Sequence, residues 1–165
     1  MKTLYLVRHA KSSWKFPELR DFDRPLNGRG KRNAPDMGKR LKAMGILPDL
    51  LIASPANRAL TTARKIAENI GYPVEDILEN DDIYHGSENT LLQVIKSADG
   101  DVNELMLFGH NPGFTDLANL LGDQWIDNIP TCGIVALGFD VTDWSEVTPG
   151  TGRNLFFDYP KKIPQ

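Results

Sequence analysis

The side chains of this chain that could carry out chemistry are concentrated in three short segments. Arg8 and His9 close one apolar run, segment 54–58 (SPANR) follows a second, and segment 109–113 (GHNPG) follows a third. Together they supply two arginines, two histidines and two expected helix N-termini. Guanidinium groups bind phosphate oxygens through paired hydrogen bonds, and the free N–H groups of helix N-termini bind anions. The three segments therefore favour chemistry on an anion, most naturally a phosphoryl group.

Each segment also has a plainer interpretation when it is taken alone. An Arg-His pair at a strand end is commonly a surface or capping pair, and Arg58 alone would be a solvated helix residue. The sequence Asn-Pro-Gly alone is typical of a turn. What favours function is that all three segments are predicted at the same edge of a sheet, where ligands bind in open α/β folds.

The segments are positioned by alternating strands and helices. Short apolar runs predict strands, and apolar residues at helical spacing predict helices. The second helix has Ser54 as its expected N-cap, and the first contains Pro35 in its first turn or at a kink. The alternation predicts one α/β domain over residues 1–165, a layered sheet with helices on both faces. The expected strands cover residues 3–7, 49–53, 74–78, 104–108, 133–139 and 153–157, and the expected helices cover residues 28–44, 55–70, 89–95 and 112–121.

Residues 11–25 are predicted to form a long polar loop, and loops of this length commonly carry function. Trp14 and Phe16 either pack this loop against the domain or contact a partner together with Arg20 and Arg24, and both interpretations stay open. Arg24 has a structural alternative, which is an ion pair with one of the two aspartates that precede it.

The composition excludes several classes of protein. With 41% hydrophobic and 25% charged residues, the 165-residue chain has the composition of a globular domain. Its net charge of −3 argues against binding nucleic acid by neutralising phosphates. The single cysteine, Cys132, forms no intramolecular disulfide and is expected to be a small buried side chain. Because we find neither a signal peptide nor an apolar run of the ~18 residues of a membrane helix, we expect a cytoplasmic protein with no membrane partner.

The three histidines, His9, His85 and His110, lie far apart in the sequence. Metal sites are typically built around closely spaced ligand pairs such as His-x-x-x-His, and the sequence has none. We therefore expect neither a metal ion nor another cofactor. His85 is expected to be a loop residue, and lining the site is its alternative role.

The three segments resemble the motifs of the histidine phosphatase superfamily. Segment 6–10 (LVRHA) is similar to its Arg-His signature, segment 54–63 (SPANRALTTA) to its second motif, and segment 109–113 (GHNPG) to its second-histidine motif. Segment 21–26 (DFDRPL) and the short chain are most similar to the SixA-type phosphohistidine phosphatases. The resemblance covers nearly the whole chain, and it implies a three-layer α/β/α sandwich with a mostly parallel central sheet, as in phosphoglycerate mutases.

The resemblance also implies a mechanism and a set of site residues. A histidine would attack phosphorus through a neutral ring nitrogen and become phosphorylated, and water would then hydrolyse this intermediate. Guanidinium and imidazolium groups would stabilise the phosphoryl oxygens without a metal ion. The expected catalytic residues are His9, the nucleophile, with Arg8, Arg58 and His110, and the expected phosphate- or substrate-binding residues are Arg8, Arg58, His110, Asn111 and Ser54.

One part of the family's pattern is missing. Relatives that cleave phosphate esters carry an acid that protonates the leaving alkoxide, and Asp82 is the nearest match here, where a glutamate is expected. Asp82 is thus one candidate proton donor, and an aspartate of the loop 11–25 is the alternative. An alkoxide is a poor leaving group, its conjugate acid being comparable to water at pKa ~15.7, whereas imidazole has a pKa of ~6.5. The departure therefore favours phosphohistidine over a phosphate ester.

The leading hypothesis is a phosphatase that removes phosphate from phosphohistidine in a protein, because a short chain leaves little room for segments that enclose a small metabolite. A small-molecule phosphate-ester phosphatase or mutase of the same fold is the alternative. A non-catalytic module that binds a phosphorylated ligand is the third hypothesis. The intact set of expected catalytic residues argues against the third, since a binder has no need of a nucleophile.

Overall fold

The computed structural model describes residues 1–162, in which one six-stranded sheet is covered by helices on both faces. The sheet order is β3-β2-β4-β1-β5-β6. The first four strands in this order are parallel, and β5 and β6 run antiparallel to their neighbours. The strands are β1 (Lys2–Arg8), β2 (Leu50–Ala53), β3 (Leu78–Glu79), β4 (Glu104–Gly109), β5 (Ile134–Phe139) and β6 (Arg153–Asp158).

The helices confirm the predicted three layers. Leu4 and Leu6 of β1 belong to one core cluster, and the alternate residues Tyr5 and Val7 belong to the other. This alternation is the two-residue period of a strand that is buried on both faces. The first cluster contains α3 and α4, and the second contains α1 and α2. The helices are α1 (Gly28–Ala43), α2 (Asn57–Ile70), α3 (Glu88–Lys96) and α4 (Gly113–Leu121).

The ends of the helices follow from local chemistry. The Asn27 side chain accepts a hydrogen bond from the Gly30 N–H at 2.9 Å and caps α1. Gly71 ends α2, as predicted, in a left-handed conformation with φ of 85°. Pro35 lies inside α1, past its first turn. In residues 1–162 no helix is both long and apolar enough to cross a membrane.

The expectation that Ser54 is the N-cap of α2 is wrong. The helix begins at Asn57, and Ala56 occupies the cap position without a side-chain hydrogen bond. Ser54 is instead fully buried, and its hydroxyl lies 2.8 Å from Nε2 of His110. The same hydroxyl accepts a hydrogen bond from the Ala56 N–H at 3.2 Å, so Ser54 connects the turn before α2 to the ring of His110.

The predicted strand at residues 74–78 is also wrong for most of its length. Val74–Asp76 forms a short 3₁₀ turn, and only Leu78–Glu79 pairs with β2. This segment is the edge of the sheet, and Leu78 stays 52% exposed. Little apolar burial is available there to extend the pairing.

Candidate active site

Three loops meet at one edge of the sheet because β2, β4 and β1, the strands that precede them, are parallel neighbours. The His9 N–H donates to the Gly109 carbonyl at 2.9 Å. The Ser54 N–H donates to the Phe108 carbonyl, also at 2.9 Å. The ring centres of His9 and His110 lie 5.3 Å apart. The convergence expected from the sequence is therefore present.

His9 is held as a neutral ring with one free nitrogen. Its Nδ1 lies 2.7 Å from the Ala10 carbonyl oxygen, which can only accept a hydrogen bond. Nδ1 must therefore carry the proton, and the lone pair is on Nε2. Burial lowers the pKa of His9 to about 4, and the nearby guanidinium groups act in the same direction. At pH 7 the ring is neutral and Nε2 can act as a nucleophile.

A cavity of about 280 Å³ beside His9 is lined by positive charge. Arg8, Lys11, Arg24 and Arg58 all line it. Burial lowers the pKa of Arg8 from its usual value, and its Nη1 donates to the Ile129 carbonyl at 2.9 Å. We call this cavity the cationic pocket, and it suits a phosphoryl group because guanidinium groups match the geometry of phosphate oxygens.

Asp21, which the sequence offered only as a partner for Arg24 or as one of the loop aspartates that could donate a proton, holds two of these arginines in place. Its Oδ2 accepts hydrogen bonds from Nη2 of Arg58 at 2.9 Å and from the Tyr84 hydroxyl at 2.7 Å. Its Oδ1 accepts from Nη1 of Arg24 at 2.9 Å. Burial alone would raise the pKa of Asp21, but the hydrogen bonds from Tyr84 and Arg58 outweigh it and lower the pKa to about 2. Asp21 is therefore a carboxylate at neutral pH.

Arg24 is buried and pairs with Asp21, which confirms its structural alternative. Its guanidinium carbon lies 3.4 Å from the centre of the Trp14 ring, a cation–π contact. Trp14 nevertheless stays 74% exposed, and Phe16 stays 45% exposed. Both aromatic side chains of the loop therefore remain exposed to solvent.

The expectation that His110 is an imidazolium needs correction. Burial, with smaller contributions from the neighbouring His9 and Arg58, lowers the pKa of His110 to about 3. The ring is therefore neutral at pH 7, so it offers hydrogen bonding to a phosphoryl group rather than a full charge. Its Nε2 lies against the Ser54 hydroxyl, and its buried Nδ1 has no hydrogen-bond partner within residues 1–162.

Asn111 and Asp82 are placed differently from the other expected site residues. The Asn111 amide donates to Asn128 and Ile129, and its oxygen accepts from Thr115. Its side chain is therefore occupied by the loop and by α4. Asp82 is exposed on a 3₁₀ turn and lines neither of the two cavities beside the histidines.

A second cavity, of about 250 Å³, lies on the other side of His110. His85 lines this cavity and is absent from the lining of the cationic pocket. Two carboxylates that the sequence did not single out, Glu88 and Asp116, also line it. We call this cavity the acidic cavity.

Cys132 is fully buried, as expected, and burial raises the pKa of its thiol to about 12. Its backbone is left-handed, with φ of 60°, and its N–H donates to the carbonyls of Arg8 and His9 at 3.0 Å. Cys132 therefore supports the backbone of the site and does not offer a reactive thiolate.

Known proteins resemble this chain in sequence and in structure, and the family model covers the first two of the three segments. Residues 4–93 match the model of the histidine phosphatase superfamily, branch 1. A chloroplastic protein of uncharacterised function from Arabidopsis thaliana is 31% identical over 153 residues, which cover 88% of this chain and 70% of that protein. The crystal structure of a candidate SixA phosphohistidine phosphatase from Agrobacterium tumefaciens is 30% identical, with a TM-score of 0.79, covering 96% of this chain and 98% of that one. A 2,3-bisphosphoglycerate-dependent phosphoglycerate mutase of Chelativorans sp. is 34% identical over 80 residues, which cover 47% of this chain and 39% of the mutase.

Proposed function

Since the chain belongs to the histidine phosphatase superfamily, a membership that supports a phosphatase, we propose that His9 carries the phosphoryl group as a covalent intermediate and that phosphohistidine in a protein is the substrate. The observation that carries this proposal is the neutral His9 ring. Its Nδ1 proton is held by the Ala10 carbonyl, and its Nε2 is next to the cationic pocket.

In the first step the Nε2 lone pair of His9 attacks phosphorus. The bond between phosphorus and the substrate nitrogen breaks, and its electron pair stays on that nitrogen. A substrate ring that is protonated on its other nitrogen then leaves as neutral imidazole. The phosphorylated His9 ring becomes cationic, and its Nδ1–H bond to the Ala10 carbonyl stabilises this charge. Arg8 and Arg58 stabilise the phosphoryl oxygens.

In the second step water replaces His9. The water oxygen attacks phosphorus, the bond to Nε2 breaks, and its electron pair returns to the neutral His9 ring. Both water protons leave with the product as dihydrogen phosphate, which releases one of them to the solvent. Neither step requires a metal ion, because the arginines supply the positive charge.

The protonation state and the position of the nearby carboxyl groups support phosphohistidine as the substrate. An ester would leave as an alkoxide and would need an acid, but the carboxyl group nearest to the arginines, Asp21, has a pKa of about 2 and is ionised. Asp82 lies outside both cavities. A protonated imidazole leaving group needs no such donor.

The second candidate is a phosphate-ester phosphatase or mutase, and the similarity to phosphoglycerate mutases over 80 residues favours it. That similarity covers less than half of this chain. The two candidates differ in the leaving group, so the choice between them is a question about the substrate.

The test is phosphate release from a histidine-phosphorylated peptide and from an aryl phosphate, with wild type and His9→Asn. We expect fast release from the peptide, loss of release in His9→Asn, and label on His9 after rapid acid-free quenching and mass spectrometry. The chain has only three histidines, so the label can be assigned to one of them. A clear preference for the ester would favour the second candidate. Binding of phosphate without turnover would favour the non-catalytic module, and release that persists in His9→Asn would contradict the nucleophile assignment.

A further inference from the structure

The two cavities beside the histidine pair carry opposite charge. The cationic pocket is lined by four positively charged side chains and, within residues 1–162, by no carboxylate. The acidic cavity is lined by the carboxylates of Glu88 and Asp116 and, in the same part of the chain, by no lysine or arginine. One substrate that spans both cavities would therefore have an anionic end and a cationic end.

The acidic cavity is bounded by closely packed backbone. A Cβ atom added to Gly113 would lie 2.3 Å from the Gly86 carbonyl oxygen, so the loop before α3 and the start of α4 are in direct contact. His85, next to this contact, has a left-handed backbone with φ of 63°, which non-glycine residues rarely adopt. Its ring lies against that of Tyr84, with ring centres 3.9 Å apart and ring planes tilted by 34°. The backbone contact between Gly86 and Gly113, which both line the cavity, gives it a fixed floor.

His110, one of the residues that line this cavity, has a buried polar atom without a partner. The residue is 8% exposed, and its Nδ1 has no hydrogen-bond partner within residues 1–162. Buried polar atoms in proteins are nearly always hydrogen-bonded, so an unpartnered ring nitrogen in a residue that lines a cavity is typical of a ligand site. His110 is close to both cavities, since its ring centre lies 5.3 Å from that of His9.

We propose that the acidic cavity binds the leaving group, and that it selects an imidazole ring in its protonated form through the carboxylates of Glu88 and Asp116. This inference rests on the proposed function and specifies its substrate class. The phosphoryl group would occupy the cationic pocket, and the substrate ring would extend past His110 into the acidic cavity. A carboxylate that accepts the N–H of the ring nitrogen away from phosphorus favours the cationic ring.

In the reaction, the leaving imidazole would therefore already carry the proton that keeps it from departing as an anion. The substrate ring enters with a proton on its far nitrogen, and cleavage leaves the electron pair of the phosphorus–nitrogen bond on its near nitrogen. The ring departs neutral with the same proton still bonded to a carboxylate. No enzyme group has to donate a proton, which agrees with the absence of an acid from the lining of the cationic pocket.

The space for the rest of the substrate lies beyond the same carboxylates. Glu88 and Asp116 also line a shallow depression of about 290 Å³ together with Leu120 and Trp125. Trp125 is 78% exposed. A ring bound in the acidic cavity could therefore remain attached to a peptide chain that follows this depression.

Helix stability is the competing explanation for the two carboxylates. Glu88 and Asp116 lie in the first turns of α3 and α4, where negative charge stabilises a helix regardless of any ligand. That explanation predicts an effect on the melting temperature and none on the choice of substrate. The two explanations can therefore be separated by measuring selectivity.

The experiment compares kcat/KM for a peptide phosphorylated on Nε2 of its histidine with kcat/KM for an aryl phosphate. The variants are Glu88→Gln, Asp116→Asn and the double variant. Glu75→Gln, which removes an exposed carboxylate from the 3₁₀ turn 74–76, is the matched control. We expect the ratio of peptide to aryl phosphate to fall at least tenfold in the double variant and to stay at the wild-type value in the control. Inhibition by added imidazole should weaken in the same variants.

Each outcome has one meaning. A ratio that does not change in the double variant, in a protein that melts cooperatively, overturns the leaving-group assignment and leaves the proposed function standing. A wild type that hydrolyses the aryl phosphate through His9 but not the peptide overturns the proposed function, and this inference with it. A fall in the ratio together with weaker inhibition by imidazole supports the assignment.

Discussion

The cationic pocket and the acidic cavity would bind the two ends of one proposed substrate through side chains of opposite charge. The pocket concentrates four positive side chains beside a neutral nucleophile, whereas the cavity presents two carboxylates beside a neutral histidine. Both histidines are kept neutral by burial, so the charge that a substrate meets comes from the surrounding side chains. The site is therefore polarised, with positive charge around the cavity beside His9 and negative charge around the cavity beside His110.

The support of the two cavities differs as well. The cationic pocket depends on long side chains that are held by a carboxylate, because both Arg58 and Arg24 donate to Asp21. The acidic cavity depends on backbone contact between Gly86 and Gly113. Changes to a side chain should therefore affect the pocket most, and changes that add bulk to the backbone should affect the cavity most.

The largest expected effect comes from removing a charge from the cationic pocket. Arg58→Ala should lower kcat/KM for an aryl phosphate by roughly 10²–10³-fold, because a preorganised charge is lost where charge develops. Arg64→Ala, on the same helix but exposed, is the control and should have little effect. Steady-state kinetics of both variants would make the comparison, and equal rates would show that the pocket does not bind the phosphoryl group.

Removing the carboxylate that supports the pocket should have the next largest effect. In Asp21→Asn we expect Arg58 and Arg24 to lose their shared anchor and kcat/KM to fall by roughly 10–100-fold, the range for a misplaced catalytic group. The dissociation constant of inorganic phosphate should rise, which a loss of folding stability alone would not cause. Tyr84→Phe keeps the carboxylate and should have a smaller effect. Unchanged phosphate binding in Asp21→Asn would refute its positioning role.

The role of Asp21 also shows which features of the site cannot be predicted from the sequence. The alternation of strands and helices was predictable because burial repeats locally, as the two faces of β1 show. The ends of β1, β2 and β4 could be placed together because parallel strands end at one edge. The hydrogen bond between Asp21 and Arg58 joins residues that are 37 positions apart, and no local sequence pattern indicates it.

The protonation states and the acidic cavity also cannot be predicted from local sequence. The family resemblance implies a charged His110, but the pKa of His110 follows from burial, which is a property of the assembled fold. Glu88 and Asp116 each look like ordinary first-turn residues of a helix, and only the packing of α3 against α4 brings them to one cavity. The predicted N-cap at Ser54 is wrong because α2 begins two residues later than its sequence pattern indicates, and the Ser54 hydroxyl contacts His110 in addition to the nearby Ala56 N–H.

The neutral histidine pair should make stability depend on pH. The folded-state pKa values of His9 and His110 are about 4 and about 3, both below the ~6.5 of an unfolded histidine. Between pH 6.5 and 4 the unfolded chain therefore binds more protons, so the free energy of unfolding falls as the pH is lowered. Each histidine contributes at most ~1.4 kcal/mol per pH unit.

Urea unfolding at several pH values, with NMR titration of the histidine rings, would measure this effect. The double variant His9→Asn, His110→Asn should flatten the dependence in this window. The carboxylate of Asp21, with a folded-state pKa of about 2, contributes stability that is lost only at lower pH, below about 4. Rings of His9 and His110 that titrate near pH 6.5 in the folded protein would contradict the prediction.

The smallest effects should come from substituting two glycines, one packed against each cavity. A Cβ atom at Gly30 would lie 2.2 Å from the Lys11 carbonyl at the cationic pocket, and one at Gly113 would lie 2.3 Å from the Gly86 carbonyl at the acidic cavity. Both substitutions to alanine should cost ~1–3 kcal/mol of stability through overpacking. They should differ in function, because Gly30→Ala displaces a wall of the pocket and Gly113→Ala displaces the floor of the cavity.

Phosphate affinity and the ratio of peptide to aryl phosphate turnover would separate the two glycines. Gly30→Ala should weaken phosphate binding several-fold, and Gly113→Ala should lower the ratio several-fold. Gly28→Ala, where the nearest heavy atom is 3.4 Å away, controls for adding a methyl group at the same helix end as Gly30. If both variants changed phosphate affinity and selectivity alike, the two cavities would behave as one site, and the division of charge between them would not determine the choice of substrate.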